Sequence, residues 1–351
     1  MQALVLRQGC GRLEERPHPR ARHDEVVVRT TMASLCSADV SCVRGDFHTH
    51  EGCVLGHEAV GVVHEIGDLV DGFALGQRVA VASTTPCGQC ANCQRGYSGH
   101  CRGGVWGGYR FGVSLDGSLA EYFAVPFAQH NLAPIPDLVS DAQALCVTDT
   151  IASGSTGPEV AQFPLGATVV VIGQGHIGLG ATMAARALGA GLVVTVKARP
   201  GGEDLARAAG ADLTLNLTEH DVVKEIRRVT GGDGADCVVE ASGSIDSFPT
   251  AVAATRIGGT VAVLSSYNGV EGAQLGIPLA EWGWGIGDKT ILSTFQRSGS
   301  ERMVRLMRSI AAGRFDPSFL LTKRYTFGEV EQALADVTAR EQGLIKPCIT
   351  F

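Results

Sequence analysis

The sequence predicts an α/β protein of two domains, one a small and mostly antiparallel barrel, the other a doubly wound parallel sheet. The chain has 351 residues, and at about 100–200 residues per domain two domains are expected. The rhythm of the sequence also changes near Gly166. Short apolar runs between turn residues precede this point, and strand-like runs alternating with helix-like stretches follow it.

The first half is typical of a β-rich domain. Short apolar runs at 25–29, 60–64 and 78–81 are separated by Gly, Pro and Asp residues. Helical periodicity is scarce before about residue 140. We therefore expect an irregular barrel with long loops and little helix.

The second half is typical of alternating strands and helices. Residues 168–172 form an apolar, β-branched run that fits a strand covered on both faces. Further strands are expected at 192–196, 212–217, 236–240, 260–264 and 290–294, with helices at 176–188, 205–209, 221–229 and 247–255. Six such strands predict a doubly wound sheet. The tail, from about residue 300, predicts two helices around a short strand, and 345–349 a final strand that returns to the first domain.

Composition excludes several classes of protein. The net charge of −7 argues against a nucleic-acid partner bound through a broad basic surface. No run approaches the about 18 apolar residues of a membrane span, and the first residues lack the core of a signal peptide. We therefore expect a soluble, cytoplasmic protein. Its eleven cysteines, an odd and scattered set, favour thiols or metal ligands over a disulfide scaffold.

A glycine turn predicts a dinucleotide site. The segment GQGHIG (173–178) follows the strand at 168–172 directly and opens a helix, which is the setting that this motif requires. Gly173 allows the tight turn, Gly175 lets the backbone approach a pyrophosphate, and Gly178 lets helix and strand pack closely. His176 and Ile177 begin the helix, whose N–H groups bind phosphate. Glycines that serve only the turn are the weaker alternative.

The residues after the second strand favour NADP(H). An NAD site has an acidic residue about 20 residues after the turn, but here Lys197 and Arg199 occupy that region and no acid occurs before Glu203. Two cations suit the 2′-phosphate of NADP, which an arginine can bind through two hydrogen bonds. The alternative is a solvated basic loop. Ser266 completes the predicted cofactor-binding set.

Four closely spaced cysteines predict a structural metal site. Cys87, Cys90, Cys93 and Cys101 lie in a loop rich in Gly, Asn and Ser. Four thiolates close a tetrahedral zinc site and leave no position open for substrate. An iron–sulfur cluster and four unbound thiols are the alternatives.

A second group of candidate ligands is dispersed along the chain. Cys36, the pair His57 and Glu58, and Asp149 are of the residue types that bind zinc. Spacing alone does not join them into one site, and a lone buried cysteine or histidine is more often a packing residue.

Together, GHEAVGVVHEIG (56–67), the four-cysteine loop and GQGHIG resemble the zinc-dependent medium-chain alcohol dehydrogenases over essentially the whole chain. Segments 108–111, 116–123, 147–149, 281–285 and 289–291 are most similar to the bacterial NADP-dependent secondary alcohol dehydrogenases. The resemblance implies a GroES-like β-barrel catalytic domain, placed here at 1–151 and 293–351. It also implies a Rossmann domain, placed at 152–292, with the active site between the two.

The resemblance also implies a mechanism. Cys36, His57 and Asp149 would hold a catalytic zinc that acts as a Lewis acid, Glu58 would be an exchangeable ligand, and a second zinc would be structural. Hydride would pass between NADP(H) and a ketone or secondary alcohol, with reduction as the expected direction. The resemblance further implies a homodimer or homotetramer.

The sequence departs from this family where proton transfer begins. The family has Ser or Thr two residues after the zinc-binding cysteine, but this chain has Ala38, and Ser41 replaces a histidine of the close subgroup. Ser37, His48, His50 or ordered water could supply the missing group. The alternative function is reduction of an imine or a conjugated alkene in a biosynthetic pathway, where no proton on oxygen is needed.

Other expectations concern specificity and activity. The close subgroup usually lacks the four-cysteine loop, which this chain retains. Tyr109 and Trp284 match substrate-pocket or subunit-contact positions of the subgroup, and simple aromatic packing is the equal alternative. A protein that has lost turnover would be expected to bind about one zinc per chain rather than two.

Overall fold

The computed structural model describes residues 1–104, 107–198, 201–267 and 272–351. Within these ranges the strands β1 to β15, in chain order, are Gln2–Arg7, Cys10–Glu15, Val26–Ser34, Glu58–Ile66, Arg78–Val81, Tyr122–Val125, Leu132–Pro134, Thr168–Ile172, Leu192–Lys197, Leu213–Asn216, Ala235–Glu240, Thr255–Val263, Thr290–Ser293, Leu321–Thr326 and Lys346–Thr350. The α-helices α1 to α12 are Ser37–Arg44, Ala91–Gln94, Ala128–Asn131, Asp141–Cys146, Ala152–Gly154, Thr156–Ala161, His176–Ala187, Glu203–Ala208, Val222–Val229, Ser247–Ala254, Ser300–Ala311 and Val330–Ala339. A π-helical turn, Val147–Ile151, follows α4, and 3-10 turns span Ser98–His100, Ser318–Leu320 and Phe327–Glu329.

The chain divides into two compact units. The first comprises Met1–Ala152 and Gln296–Phe351, and the second comprises Ser153–Phe295. The boundaries expected from the sequence lie within three residues of these divisions. That these boundaries are the limits of two separate domains stays a prediction.

The first unit is built around β3. This strand pairs antiparallel with β4, β6 and β15 in a seven-stranded sheet of order β14-β15-β3-β4-β5-β7. Its pairing with β15, through Ile349 and Ala33, confirms that the end of the chain returns to the first domain. The sheet is antiparallel apart from the parallel pair β14 and β15. Alternate residues such as Val26 and Val28 point into the main hydrophobic core.

Helix α1 is one of the helices in the first unit that were not expected from the sequence. The eight-residue helix α1 begins after Cys36, which takes the N-cap position. The Cys36 sulfur accepts a hydrogen bond from the N–H of Ala38 at 3.3 Å, and Asp39 Oδ2 accepts one from the N–H of Cys36 at 2.9 Å. Cysteine is not among the usual cap residues, so residue pattern alone does not predict that a helix starts here.

The second unit contains the predicted doubly wound sheet. Its six strands are parallel and lie in the order β10-β9-β8-β11-β12-β13. In β8, Val169 and Val171 pack on one face of the sheet, and Val170 and Ile172 pack on the other. Burial on both faces explains why this strand is apolar throughout.

The longest departure from the predicted strands is in β12. The strand begins at Thr255, immediately after α10, whereas the sequence predicted a start at 260. Between Ala235 and Cys237 of β11 the pairing shifts from Thr255 to Thr260, so the extra residues form an irregularity rather than a regular ladder. Gly258 has φ 69° within it, and pattern reading does not detect such an insertion.

None of the α-helices in the described ranges combines the length and the apolar character needed to cross a membrane.

Candidate active site and metal centres

The four dispersed candidate ligands come together in the first unit. One ligand atom each from Cys36, His57, Glu58 and Asp149 lies within 4.8 Å of all the others, and all four residues are buried. We call this group the Cys36 cluster.

Strand register brings the first three members together. Ser34 at the end of β3 pairs with Glu58 at the start of β4. Cys36 follows the end of β3 by two residues, and His57 directly precedes β4. In an antiparallel pair these two chain ends are neighbours, so residues 21 positions apart in sequence meet. The Cys36 sulfur is 3.2 Å from His57 Nε2.

Asp149 enters from the π-helical turn that follows α4. Its side chain is buried, and one contact comes from the Ser83 hydroxyl, 3.4 Å from Asp149 Oδ1. Single π-helical turns are rare and occur frequently at functional sites. The sequence pattern did not predict this turn.

The Nδ1 atom of His57 lies close to two oxygen atoms. Nδ1 lies 3.2 Å from Asp39 Oδ1 and 2.9 Å from the Tyr109 hydroxyl. Such partners fix the orientation of a metal-binding histidine, leaving Nε2 for the metal. Sequence reasoning missed Asp39 for this role, although its position three residues after Cys36 is that of a capping-box residue.

The two carboxylate oxygens of Glu58 differ in their contacts. Its Oε1 accepts a hydrogen bond from Lys346, whose Nζ also donates to the Leu35 carbonyl at 3.0 Å. Oε1 is 3.7 Å from His57 Nε2. The other oxygen, Oε2, is buried without a hydrogen-bond partner in the described part of the chain. A buried carboxylate oxygen of this kind calls for a compensating positive charge.

Electrostatics in the cluster are dominated by burial and by acidic groups. Burial raises the pKa of the Cys36 thiol, although His57 and Lys346 oppose the change. Burial disfavours the charged form of His57, but Asp39 and Cys36 outweigh it and raise the pKa of the imidazole well above its ordinary value. Burial also raises the pKa of Glu58, with Lys346 acting against it. A divalent cation would stabilise the thiolate and the carboxylates together.

The donor set of the Cys36 cluster fits zinc. One sulfur, one imidazole nitrogen and carboxylate oxygens are the ligand types that zinc takes in catalytic sites. The unpartnered oxygen of Glu58 adds a further donor within reach.

The four-cysteine loop forms a second cluster. The sulfur atoms of Cys87, Cys90, Cys93 and Cys101 all lie within 4.8 Å of one another, and those of Cys90 and Cys93 are 3.5 Å apart. None of the four forms a disulfide. This arrangement fits a tetrahedral site with four sulfur ligands.

Backbone N–H groups surround these sulfur atoms. Cys87 N–H donates to the Cys101 sulfur and Cys90 N–H to the Cys87 sulfur, each at 3.3 Å. Hydrogen bonds from the backbone of Arg102 and Cys93 lower the pKa of Cys90 to about 6. Burial raises the pKa of Cys93 to about 12. The loop thus stabilises a thiolate before a cation is considered, and thiolate is the ligand form.

The glycine turn in the second unit has the geometry that its three glycines suggested. Gly173 has φ 107°, a conformation that side chains rarely adopt. A Cβ on Gly178 would overlap the Gly173 carbonyl oxygen, while one on Gly175 would meet nothing within 4 Å. The space beside Gly175 is open, as a close approach of phosphate requires. His176 and Ile177 form the first turn of α7.

The predicted 2′-phosphate ligands are only partly described. The Lys197 amine, at the end of β9, is buried and bound to the Glu203 carboxylate and, at 3.0 Å, to the Gly201 carbonyl. Arg199 lies outside the described residues. Ser266 is exposed just beyond β12. The acidic residue Glu203 is therefore the ionic partner of Lys197.

Comparisons with known proteins identify the family. The family model described as alcohol dehydrogenase GroES-like domain matches residues 22–137, and the one described as zinc-binding dehydrogenase matches residues 177–311. The chain belongs to the zinc-dependent alcohol dehydrogenase family. The GroES-like and Rossmann-type folds expected from the sequence are thereby confirmed.

Several family members resemble the chain over almost its full length. An alcohol dehydrogenase of Cupriavidus necator is 35% identical, covering 99% of this chain and 97% of its own. An NADP-dependent isopropanol dehydrogenase of Thermoanaerobacter brockii is also 35% identical and covers 95% of each chain. The solved structure of an alcohol dehydrogenase from Thermus sp. ATN1 aligns with TM-score 0.89 at 27% identity, covering 100% of this chain and 99% of its own.

The departures from the zinc-dependent alcohol dehydrogenases lie around α1. Ala38 is half-buried and packs against the main core. Of the residues proposed to replace its hydroxyl, Ser37, His48 and His50 are exposed.

The two aromatic residues singled out in the sequence differ in their surroundings. Tyr109 is buried against His57, with ring centroids 4.9 Å apart. Trp284 is 74% exposed. Tyr109 therefore belongs to the surroundings of the Cys36 cluster, whereas Trp284 is available to a partner molecule.

Two glycine substitutions separate turn stability from cofactor binding. Gly178→Ala is expected to lower the free energy of unfolding by about 1–3 kcal/mol, because the new methyl group overlaps backbone. Gly175→Ala is expected to leave stability unchanged and weaken NADPH binding about tenfold, because the methyl group fills the open approach. Thermal unfolding and NADPH fluorescence titration measure the two effects. Equal loss of stability in both variants would contradict the assignment.

Removing Lys346 is expected to destabilise the first unit. Lys346→Met leaves the buried Glu58 without its ionic partner, which costs about 3–5 kcal/mol. The double variant Lys346→Met/Glu58→Gln is expected to recover much of that loss, because the charge is gone. Urea unfolding measures the stability of both variants. Lys323→Met is the control, because the ion pair of Lys323 is partly exposed. Equal losses in Lys323→Met and Lys346→Met would refute the argument from burial.

Proposed function

We propose that the chain is an NADP(H)-dependent zinc oxidoreductase that exchanges hydride between a ketone and a secondary alcohol, mainly in the direction of reduction. The observation that carries this proposal is the Cys36 cluster, in which a sulfur, an imidazole and two carboxylates meet within 4.8 Å. Support also comes from relatives at 35% identity that are named NADP-dependent isopropanol dehydrogenases.

The residues of the Cys36 cluster have distinct tasks in this proposal. Cys36, His57 and Asp149 hold a zinc ion, and Glu58 is an exchangeable ligand. Zinc supplies Lewis-acid polarisation of the substrate oxygen, and NADP(H) supplies or accepts the hydride. Asp39 orients His57, and Lys346 balances the charge of Glu58 in the buried site.

We assign the cofactor site to the glycine turn and the end of β9. Gly173, Gly175, His176, Ile177 and Gly178 form the phosphate turn.

Lys197, Arg199 and Ser266 complete the proposed cofactor site. Lys197 is already paired with Glu203, so the 2′-phosphate of NADP(H) has to compete with this carboxylate for the amine. The cofactor named for the relatives, together with the absence of an acid before Glu203, supports NADP(H) over NAD(H).

We assign the four-cysteine loop to a structural zinc. Its four sulfur ligands leave no position for substrate. Two zinc ions per chain follow from the two clusters.

We further propose a cytoplasmic homo-oligomer, either a dimer or a tetramer. Strand β13 lies at an edge of the parallel sheet. Nearby in sequence, Trp284 and Ile286 are 74% and 85% exposed, and apolar side chains of this size on a surface favour contact with another chain.

The alternative functions have less support. Reduction of an imine or conjugated alkene rests on Ala38 alone, whereas the relatives carry the names of alcohol, isopropanol and sorbitol dehydrogenases. A protein without turnover would have no reason to keep the whole Cys36 cluster, including the Lys346 partner of Glu58.

A substrate screen beside a zinc count tests the proposal. NADPH oxidation, followed by absorbance, is expected with ketones and not with enones or imines, in a protein that contains two zinc ions per chain. Cys36→Ser is expected to remove one zinc ion and at least about 1000-fold of the activity. Cys42→Ser is the matched control, because Cys42 is also buried but lies outside the cluster. Turnover of enones alone, or one zinc ion in the wild type, would reject the proposal.

Substitutions at Ala38 test the missing proton relay. Ala38→Thr supplies the hydroxyl that the family has at this place and is expected to raise secondary-alcohol oxidation about tenfold or more. Ala38→Val has the same shape without the hydroxyl and is expected to bring no gain. Steady-state kcat values decide between them. If the wild type already oxidises alcohols rapidly and Ala38→Thr has the same kcat, another group moves the proton.

A further inference from the structure

A buried glutamine lies beside the Cys36 cluster, where the chain re-enters the first unit. Gln296 is 5% exposed. Its amide nitrogen donates to the Ser83 hydroxyl at 2.9 Å and to the Thr148 carbonyl at 3.3 Å. Its amide oxygen lies 3.1 Å from the same hydroxyl. Neither Ser83 nor Gln296 was singled out from the sequence.

Ser83 connects this glutamine to a candidate metal ligand. The Ser83 side chain is fully buried, and its hydroxyl is 3.4 Å from Asp149 Oδ1. The Ser83 hydroxyl has one proton to donate and two possible acceptors, Gln296 Oε1 and Asp149 Oδ1. A negatively charged carboxylate is the stronger acceptor.

The Thr148 carbonyl decides the orientation of the glutamine. A carbonyl only accepts hydrogen bonds, so the amide nitrogen of Gln296 faces both it and Ser83. The Ser83 oxygen therefore receives a hydrogen bond from Gln296 and directs its own proton to Asp149. The three groups form a chain of donors that ends on the carboxylate.

The backbone next to Gln296 is itself held in place. Ser298 N–H donates to the Ser98 hydroxyl, which donates back to the Ser298 carbonyl, both at 2.9 Å. The Ser298 hydroxyl donates to the Thr84 carbonyl at 3.3 Å. These bonds fix the segment 296–298 against the residues that follow β5, so the amide of Gln296 approaches Ser83 from a fixed position.

We propose that Gln296, acting through Ser83, is a positioning residue of the metal centre that fixes the Asp149 carboxylate for zinc. The inference rests on the proposed function, because it takes Asp149 as a zinc ligand. Partners that orient metal-binding carboxylates contribute about 10- to 100-fold to metal affinity. Gln296 and Ser83 thus belong to the centre although neither touches the metal.

Zinc affinity is the measurement that separates positioning from packing. Gln296→Met keeps the length of the side chain and removes its donors. It is expected to weaken zinc binding at the Cys36 cluster about 10- to 100-fold and leave the four-cysteine site unchanged. Competition with a chromogenic chelator measures both sites, and Cys36→Ser shows which class of zinc belongs to the cluster. Gln296→Glu keeps the volume but places an acidic acceptor near Asp149, and is expected to weaken binding at least as much.

A double-mutant cycle tests the path through Ser83. Ser83→Ala is expected to reproduce the loss of Gln296→Met, and the double variant is expected to lose no more than Ser83→Ala alone, because Gln296 acts through the hydroxyl. Ser118→Ala is the matched control: Ser118 is fully buried, and its hydroxyl has no hydrogen-bond partner among the described residues. Thermal unfolding of the zinc-free variants reports packing separately.

The possible outcomes distinguish this inference from the proposed function. If the wild type binds two zinc ions and Gln296→Met changes neither affinity by more than about twofold, the positioning role is wrong and the proposed function stands. Additive losses, with an equal loss of stability in the zinc-free protein, would assign Gln296 to packing only. If Cys36→Ser contains as much zinc per chain as the wild type, both the proposed function and this inference are overturned.

Discussion

Acidic and thiol side chains crowd together in the interior of the first unit, and the site depends on how their charge is balanced. Asp39, Glu58 and Asp149 are buried around Cys36. Uncompensated carboxylates in such surroundings are costly, and Lys346 supplies one positive charge by pairing with Glu58. The second oxygen of Glu58 has no hydrogen-bond partner among the described residues. This arrangement supports the proposal that the cluster binds a cation.

The charge balance explains why the last segment of the chain belongs to the first unit. Lys346 lies in β15, which pairs with β3 three to four positions before Cys36. Gln296 begins the same segment and reaches Ser83 on the side of Asp149. The segment 296–351 therefore brings a counter-charge to one carboxylate of the cluster and a hydrogen-bonded chain to the other. Without this segment, Glu58 would lose its ionic partner and the Ser83 hydroxyl would lose its glutamine partner.

The features that the sequence predicted well are those in which neighbours in sequence are neighbours in space. The glycine turn spans six residues and the four cysteines span fifteen, so residue spacing carries their geometry. The Cys36 cluster depends on the register of β3 and β4 and on a π-helical turn, and only resemblance to a family joined its members beforehand. Lys346 and Gln296 were missed because a single residue, hundreds of positions from its partner, leaves no pattern in the sequence.

The start of α1 shows how the site keeps its geometry while departing from its family. Cys36 is both a member of the cluster and the N-cap of α1. Position 38 contributes its backbone N–H to the Cys36 sulfur, and any residue other than proline has that group. The capping box closes through Asp39, whose second oxygen reaches His57. An alanine at position 38 therefore leaves the cap and the orientation of Cys36 and His57 intact, and under the proposed function it affects proton transfer alone.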